Sequence, residues 1–455
     1  MNIGFDTIGN ATLICYDGRP ILFTDPWVGS PAYYGSWGLA HEIPPAQREA
    51  MQKAPYVWIS HGHPDHLNQE SFSAYRNKKI LLPDHKGSRI AQDLICMGCE
   101  VTILKDRVWY PLSDNIKILC VSDYNQDAVL LIHIRDHLII NTNDAIDHGW
   151  FRFVKKIIQT YDKTFQLSLS GFGDVDMIHL FNENGTFISP LAAKKFPVGK
   201  DIALKVRGTG CKYFIPFSSF HRYERSDSVW ANEYVTTLSD YETGFKSETT
   251  TLLPSFIRWN CETEMYTELK PLPIPLVIRE PEVYGDRWSD QLSLEDGKIA
   301  DRYFSSVHHL STFLDFITLR VGGKEHTISL SKRYFQRGIT FEAPRGSLMN
   351  SIEYEIFDDM LIGNFMKTTL HGRWGEDNLY PDFTPYLSKY ADNGRAKTKE
   401  EVRHYFYEYF RRQPIYFLLH SLDQKSKNIF RHFVSKDSLL YQNVKKTYYF
   451  LKHYH

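Results

Sequence analysis

The 455-residue sequence has no apolar run approaching the roughly 18 residues that a membrane-crossing helix needs, so no such span is expected. Its start, Met1-Asn2-Ile3-Gly4-Phe5-Asp6, lacks a basic region, an apolar stretch and a small-residue cleavage site, and no signal peptide is predicted. Cysteine is scarce: six residues, at positions 15, 96, 99, 120, 211 and 261, are scattered through the chain and frame no disulfides. Such thiols fit a reducing, cytoplasmic compartment. Cys96 and Cys99 have a metal-ligand spacing, but no second pair completes a structural zinc or iron–sulfur site. They read as thiols near a helix end. An excess of charge is missing too: Lys plus Arg number 53 against 54 Asp plus Glu. That balance gives no reason to expect nucleic acid or an anionic membrane as partner. Internal repeats and low-complexity tracts are also absent.

Aromatic rings are abundant, at 15% of residues with 28 Tyr and 29 Phe, enough to fill cores and line pockets. The most telling stretch is His61-Gly62-His63-Pro64-Asp65-His66, directly after the apolar run Tyr56-Val57-Trp58-Ile59-Ser60. Three imidazoles and a carboxylate so crowded cannot share one face of a helix or strand. They converge only in a loop at a strand end, where they point at a common centre. Imidazole and carboxylate are the ligand set of zinc, iron and manganese.

Around that loop, short strands alternate with helices. Thr12–Tyr16 and Ile21–Thr24 flank the hairpin signal Asp17-Gly18. Asn68 is placed to cap a short helix with Glu70 in its first turn. Strands are predicted over 80–82, 101–104, 128–134 and 138–143, with a helix over 87–96, and 203–217 alternates again as a strand would. This order predicts an α/β architecture, an αββα sandwich. Prolines 254, 271, 273, 275 and 281 mark a boundary, giving a catalytic domain over 1–275 and a more helical α+β accessory domain over 276–455. In the second part Thr398-Lys399-Glu400-Glu401 is a capping box ahead of Val402, Tyr405, Phe406, Tyr409 and Phe410 at helical spacing. The run Met360–Met366 reads as a lid, a dimer surface or core.

Two further ligands stand at predicted strand ends. Asp144 closes the apolar strand ending Asn141-Thr142-Asn143, and His221 follows Tyr213-Phe214-Ile215-Pro216-Phe217. With them, the pattern resembles the metallo-β-lactamase superfamily, in which a His-x-His-x-Asp-His loop is joined by a third His, a bridging Asp and a final His. A narrower resemblance, to the hydrolase-like domain of CMP-N-acetylneuraminate hydroxylases, rests on Ile59-Ser60-His61 and His66-Leu67 together with five further segments. These are Asp25-Pro26-Trp27, Gly38-Leu39-Ala40-His41-Glu42-Ile43-Pro44-Pro45, Asn141-Thr142-Asn143-Asp144, Ile215-Pro216-Phe217 and Phe357-Asp358-Asp359-Met360-Leu361-Ile362-Gly363.

That resemblance implies a dinuclear site. Counting back from Asp144, the third His is replaced by Asp123, with Asp127 four residues on as an outer acceptor. One ion is then held by His61, His63 and Asp123, the other by Asp65, His66 and His221, with Asp144 bridging. Asp25 is expected behind the metals or as a cap of the turn before Pro26. Trp27, Tyr33, Tyr34, Trp37, His41 and Glu42 are expected either to rim the substrate mouth or, for the tryptophans, to pack against the sheet. The hydroxylases also carry an N-terminal Rieske domain, whereas this sequence opens on the hydrolase-like region and has no Cys-x-His pair for such a cluster.

The resulting expectation is a metallohydrolase with two divalent metal ions, zinc, iron or manganese. It would act on a small polar substrate such as a sugar or nucleotide sugar, with Asp65 orienting or deprotonating the nucleophile. The alternative is a non-haem iron oxygenase, because two His and one carboxylate on one metal leave positions open for oxygen. A separate electron-transfer protein would then be its partner. A third reading is a metal-stabilised scaffold without catalysis. Nothing in the sequence specifies oligomeric state.

Overall fold

The computed structural model describes residues 3–29, 31–169, 178–194, 197–218, 220–331, 336–375 and 378–433. Two sheets lie face to face. The first has eight strands in the order Met265–Glu268, Ile257–Asn260, Ile3–Ile8, Thr12–Asp17, Arg19–Thr24, Tyr56–Trp58, Lys79–Pro83 and Val101–Leu104. The second has seven, in the order Thr251–Leu252, Tyr213–Pro216, Lys163–Ser168, His137–Asn143, Ala128–Ile134, Ile116–Ser122 and Trp109–Pro111.

Period-two alternation assigns the faces. Leu13, Cys15 and Trp58 of the first sheet meet Leu130, Ile132, Ile139 and Phe165 of the second in one dry core. The intervening residues Ile14, Tyr16 and Val57 face outward and are covered by Met51, Phe72, Ala91 and Leu94 from three helices, Pro45–Lys53, Gln69–Ser73 and Arg89–Cys96. Val129 and Leu131 are covered in the same way by Val154 and Ile158 of helix Phe151–Ile158. The αββα sandwich follows: strands buried on both faces read as continuous apolar runs and need a helix on each outer side.

Local signals play out as expected at the hairpin, where Gly18 takes φ 67°, and at Asn68, whose side chain accepts from the Ser71 amide. The strand predicted across 203–217 does not extend that far. Val198–Thr209 is a helix, and only Tyr213–Pro216 is a strand. Val198, Ile202 and Val206 recur at helical spacing and bury against Phe214, and Gly210 at φ 77° ends the helix in a left-handed turn. That longer apolar period outweighs the short alternation around Lys205 and Arg207.

A third, six-stranded sheet is ordered Phe187–Ile188, Leu180–Asn182, Lys367–His371, Gly338–Glu342, Phe316–Val321 and Lys324–Ser329. Two of its strands thus come from before residue 275 and four from after it. Helices Leu294–Ser306 and Arg345–Glu353 pack Phe304 and Leu348 into its core. Met360, Leu361, Phe365 and Met366 are buried in the same core, so the run Met360–Met366 is core, not a lid or a dimer surface. The capping box at Thr398 and Glu401 starts helix Lys399–Arg412, which buries Val402, Tyr405 and Tyr409. Cys96 ends helix Arg89–Cys96, and both it and Cys99 are free thiols. Among the described residues no helix is long and apolar enough to cross a membrane.

Candidate metal centre

The chemistry-bearing residues emerge where strands end on one edge of the sandwich. Asp25 follows Arg19–Thr24, the His-rich loop follows Tyr56–Trp58, Asp123 follows Ile116–Ser122 and Asp144 follows His137–Asn143. The last two strands are both antiparallel to Ala128–Ile134, so they run the same way and finish together. A slip in pairing between Asn141 and Asn143 re-aims the end of His137–Asn143. Asn143 and Asp25 both adopt left-handed backbone, at φ 48° and 38°, a conformation that Asn and Asp tolerate better than most side chains. The two sheets are joined there: Asn143 donates from Nδ2 to Asp25 Oδ2 at 2.8 Å, and Asp25 Oδ1 accepts the Ser60 amide at 2.8 Å.

Within the loop, each imidazole turns one nitrogen to the centre and the other to a protein anchor. His61 Nε2 and His63 Nδ1 face each other at 2.9 Å, while His61 Nδ1 lies 2.9 Å from Ser60 Oγ. His66 Nε2 sits between two carboxylates, 3.2 Å from Asp65 Oδ2 and 3.0 Å from Asp144 Oδ2. Its Nδ1 lies 3.1 Å from Asn143 Nδ2 and 3.5 Å from Asp25 Oδ2. Asp65 is gripped on both oxygens, by Tyr33 OH at 2.6 Å and Asn10 Nδ2 at 2.9 Å. Ser218 donates to Asp144 Oδ1 at 2.8 Å. One potential ligand atom each from His61, His66 and Asp144 fall within 4.8 Å of one another.

Asp123 and His221 fall outside that compact group, yet both are buried with orphaned atoms. Asp123 Oδ1 accepts the amides of Asn125 and Asp127 at 2.8 and 3.3 Å, whereas its buried Oδ2 has no hydrogen-bond partner. Both ring nitrogens of His221 are buried and unpartnered, and the ring stacks on Trp37 at 3.3 Å. An unmatched buried acceptor is costly, and a cation supplies what each of these atoms lacks. Imidazole nitrogens and carboxylate oxygens at these spacings fit a divalent ion. Asp127 accepts from Asn125 Nδ2 at 3.0 Å beside Asp123.

The expected rim divides. Trp27 and Trp37 are fully buried in a cluster with Tyr223 and Ile362 and line no open mouth, because the sheet pair Trp37–Leu39 and His221–Tyr223 encloses them. Tyr33 is buried as well and grips Asp65. Tyr34 and His41 are half-buried, and Glu42 is exposed.

Residues beyond the sequence reading complete the surroundings. Asp358 Oδ2 lies 3.2 Å from His63 Nε2, and Asp359 adds a second carboxylate within 4.8 Å of the same group. Lys389, also buried, brings a positive charge to the neighbourhood. All three come from the second part of the chain. The signal available was a pair of acids inside the apolar run Ile356–Met366, where a charge is buried only beside a partner.

Burial pulls the His61 ring well below its ordinary pKa, helped by positive neighbours His66, His63 and Lys389, so the ring is neutral. Burial also acts downward on His66, but Asp65 and Asp144 outweigh it and hold that ring well above its ordinary value. Asp123 is pushed well above the carboxylate range by burial and then by the charge of Asp127. Protons therefore sit where a cation would otherwise balance charge.

No family model matches the chain. Among curated proteins it is 29% identical to the cytidine monophosphate-N-acetylneuraminic acid hydroxylase of Asterias rubens over 138 residues, 28% of this chain and 21% of that one. The Danio rerio hydroxylase is 27% identical over 28% of this chain and 23% of its own length. For the Sus scrofa hydroxylase the values are 26%, 32% and 36%. Over that stretch the chain is similar to these hydroxylases. It spans only about a fifth to a third of their length. Solved structures similar to it include an isothiocyanate hydrolase from Delia radicum gut bacteria (15% identity, TM-score 0.37, 57% of this chain and 99% of that one). The diiron β-hydroxylase CmlA from Streptomyces venezuelae is another, at 12% identity, TM-score 0.37 and coverage of 59% and 54%. A third is the metallo-β-lactamase fold protein YhfI from Bacillus subtilis, at 11% identity, TM-score 0.34 and coverage of 57% and 100%.

Proposed function

We propose that this chain is a metal-dependent hydrolase acting on a small polar substrate, such as a sugar or nucleotide sugar, with two divalent ions at the strand-end edge. The observation that carries the reading is the placement of His66 Nε2 within 3.2 Å of both Asp65 Oδ2 and Asp144 Oδ2, next to the facing pair His61 Nε2 and His63 Nδ1. His61, His63 and Asp123 would hold one ion, and Asp65, His66 and His221 the other, with Asp144 between them. Zinc, iron or manganese suits this mixed set. When bound, such a pair supplies a water of lowered pKa and neutralises charge developing on the substrate.

The chain's own residues do the rest. Asp65, fixed by Tyr33 and Asn10, orients the nucleophile and takes its proton, and Ser218 fixes the bridging carboxylate Asp144. Tyr34, His41 and Glu42 remain candidates for contacting substrate, whereas Trp37 acts by holding the His221 ring. We assign the catalytic unit to residues 1–275 and the accessory unit to 276–455, with the third sheet drawing strands from both, in a cytoplasmic setting.

A second reading, iron-dependent hydroxylation with electrons from a separate redox protein, draws on one observation. Asp123, a carboxylate with an unpartnered buried oxygen, stands where the superfamily pattern has a third His. The curated relatives are hydroxylases.

Elemental analysis of protein purified without oxygen, alongside Asp123→His, tests both readings. Two zinc ions per chain, with turnover of phosphoesters, amides or lactones in the absence of oxygen, is the expected result. Iron that Asp123→His loses or exchanges for zinc, with oxygen uptake above the buffer blank, would replace hydrolysis by hydroxylation. A metal-free chain would overturn both.

A further inference from the structure

His63 has two ring nitrogens and two different neighbours. Nδ1 lies 2.9 Å from His61 Nε2, and Nε2 lies 3.2 Å from Asp358 Oδ2. A nitrogen that binds a metal carries no proton, so the other nitrogen carries it and must be given an acceptor. The other two rings of the loop follow the same rule with anchors inside the sandwich. His61 turns Nδ1 to Ser60 Oγ, and the acceptor beside His66 Nδ1 is Asp25 Oδ2 at 3.5 Å. His63 alone reaches out of the sandwich for its anchor, to a residue 295 positions away.

We infer that Asp358 is the positioning carboxylate of His63, accepting its Nε2–H and aiming Nδ1 at the ion shared with His61. The inference rests on the metal-centre reading above and deepens it, because it makes the second part of the chain a component of the centre. The carrier of Asp358 is rigid. Helix Asp358–Ile362 starts after Phe357, whose ring meets Phe304 and Phe341 at 5.3 and 5.0 Å in the core of the third sheet. Met360 and Leu361 on the same helix are buried there too. Asp358 itself is only 5% exposed, so water does not compete for its carboxylate. An imidazole held by a buried, immobile acceptor keeps one tautomer and one ring orientation. Removing such a partner costs a metal site on the order of 10–100-fold in affinity.

The test compares the full chain with Asp358→Asn and Asp358→Glu, using chelator competition with zinc and thermal unfolding on the same samples. Asp358→Asn is expected to weaken one of two zinc ions by about 10–100-fold and leave the other unchanged, with Asp358→Glu recovering part of the loss. A merely structural role would lower the unfolding temperature and leave both affinities intact, and that result overturns the inference. A parent chain that binds no zinc overturns the metal-centre reading itself. Should the variants fail to fold, anomalous diffraction from zinc-loaded parent crystals decides. Zinc on His63 Nδ1, with Asp358 at hydrogen-bond distance from Nε2, supports the inference, and zinc on Nε2 overturns it.

Discussion

The two sides of the proposed centre are built over opposite ranges of sequence. One side is the loop His61 to His66, which offers four side chains from six consecutive residues anchored by Ser60 next door. The other gathers Asp123, Asp144, His221 and Asp358 from separate strand ends, a two-stranded ribbon and the core of another sheet. The near side is pre-ordered by local turn geometry, with the His66 and Leu67 amides both donating to the His63 carbonyl. The far side exists only once three sheets have come together. Local order supplies ligands, and tertiary order decides which way they face.

The comparison breaks hardest at the ring that joins the sides. His66→Ala removes a nitrogen that lies against both the buried Asp65 and the half-buried Asp144 carboxylates. Metal affinity should fall by more than the roughly 10–100-fold that losing an outer partner costs. Isothermal titration with zinc checks this, and near-parental affinity would remove His66 from the centre.

A pH series sharpens the same contrast. His66 is held above its ordinary pKa by Asp65 and Asp144 against burial, so at neutral pH its proton must leave before metal binds. Zinc affinity should therefore fall as pH drops, and binding should release protons. Heats of binding measured in two buffers of different ionisation enthalpy should differ, and identical heats would contradict the assignment. In the metal-free chain the sign is opposite. The charged His66 pairing stabilises the fold below the ordinary imidazole pKa, and that stability is lost as pH rises through the raised value.

The smallest effect separates docking from ligation. Tyr405, on helix Lys399–Arg412, accepts from Gln126 Nε2 at 2.8 Å and donates to the Tyr124 carbonyl at 2.6 Å, holding the loop that carries Asp123. Tyr405→Phe should cost about 1 kcal/mol of stability, read by urea unfolding, and leave zinc stoichiometry unchanged. A lost metal would mean that this helix shapes the Asp123 side directly.

The sequence makes the near side legible for a physical reason. Four ligand-type residues in six, after an apolar strand, admit little but a binding loop. Strand ends at Asn143 and Pro216 direct attention to Asp144 and His221 because alternation and turn residues are local properties. Asp358 and Asp359 escape that logic, since the run around them is equally suited to a plain core helix and their partner lies in another sheet. Trp27 and Trp37 sit in a glycine-bearing loop that looks open in sequence, but pairing of Trp37–Leu39 with His221–Tyr223 closes it. Helix Val198–Thr209 is obscured by the polar residues between its apolar positions, and only packing on Phe214 decides between the two periods.

The exchange of strands between sheets bears on how the chain is made. Leu180 pairs with Thr368, so its partner strand leaves the ribosome about 10–40 s later at synthesis rates of roughly 5–20 residues per second. Through that interval the segment Leu180–Asn182 stands without the neighbour that satisfies its backbone groups. Asp358 emerges within the same late window. During biosynthesis, then, the centre is finished from behind: the histidine loop is in place long before the carboxylate that aims His63 arrives.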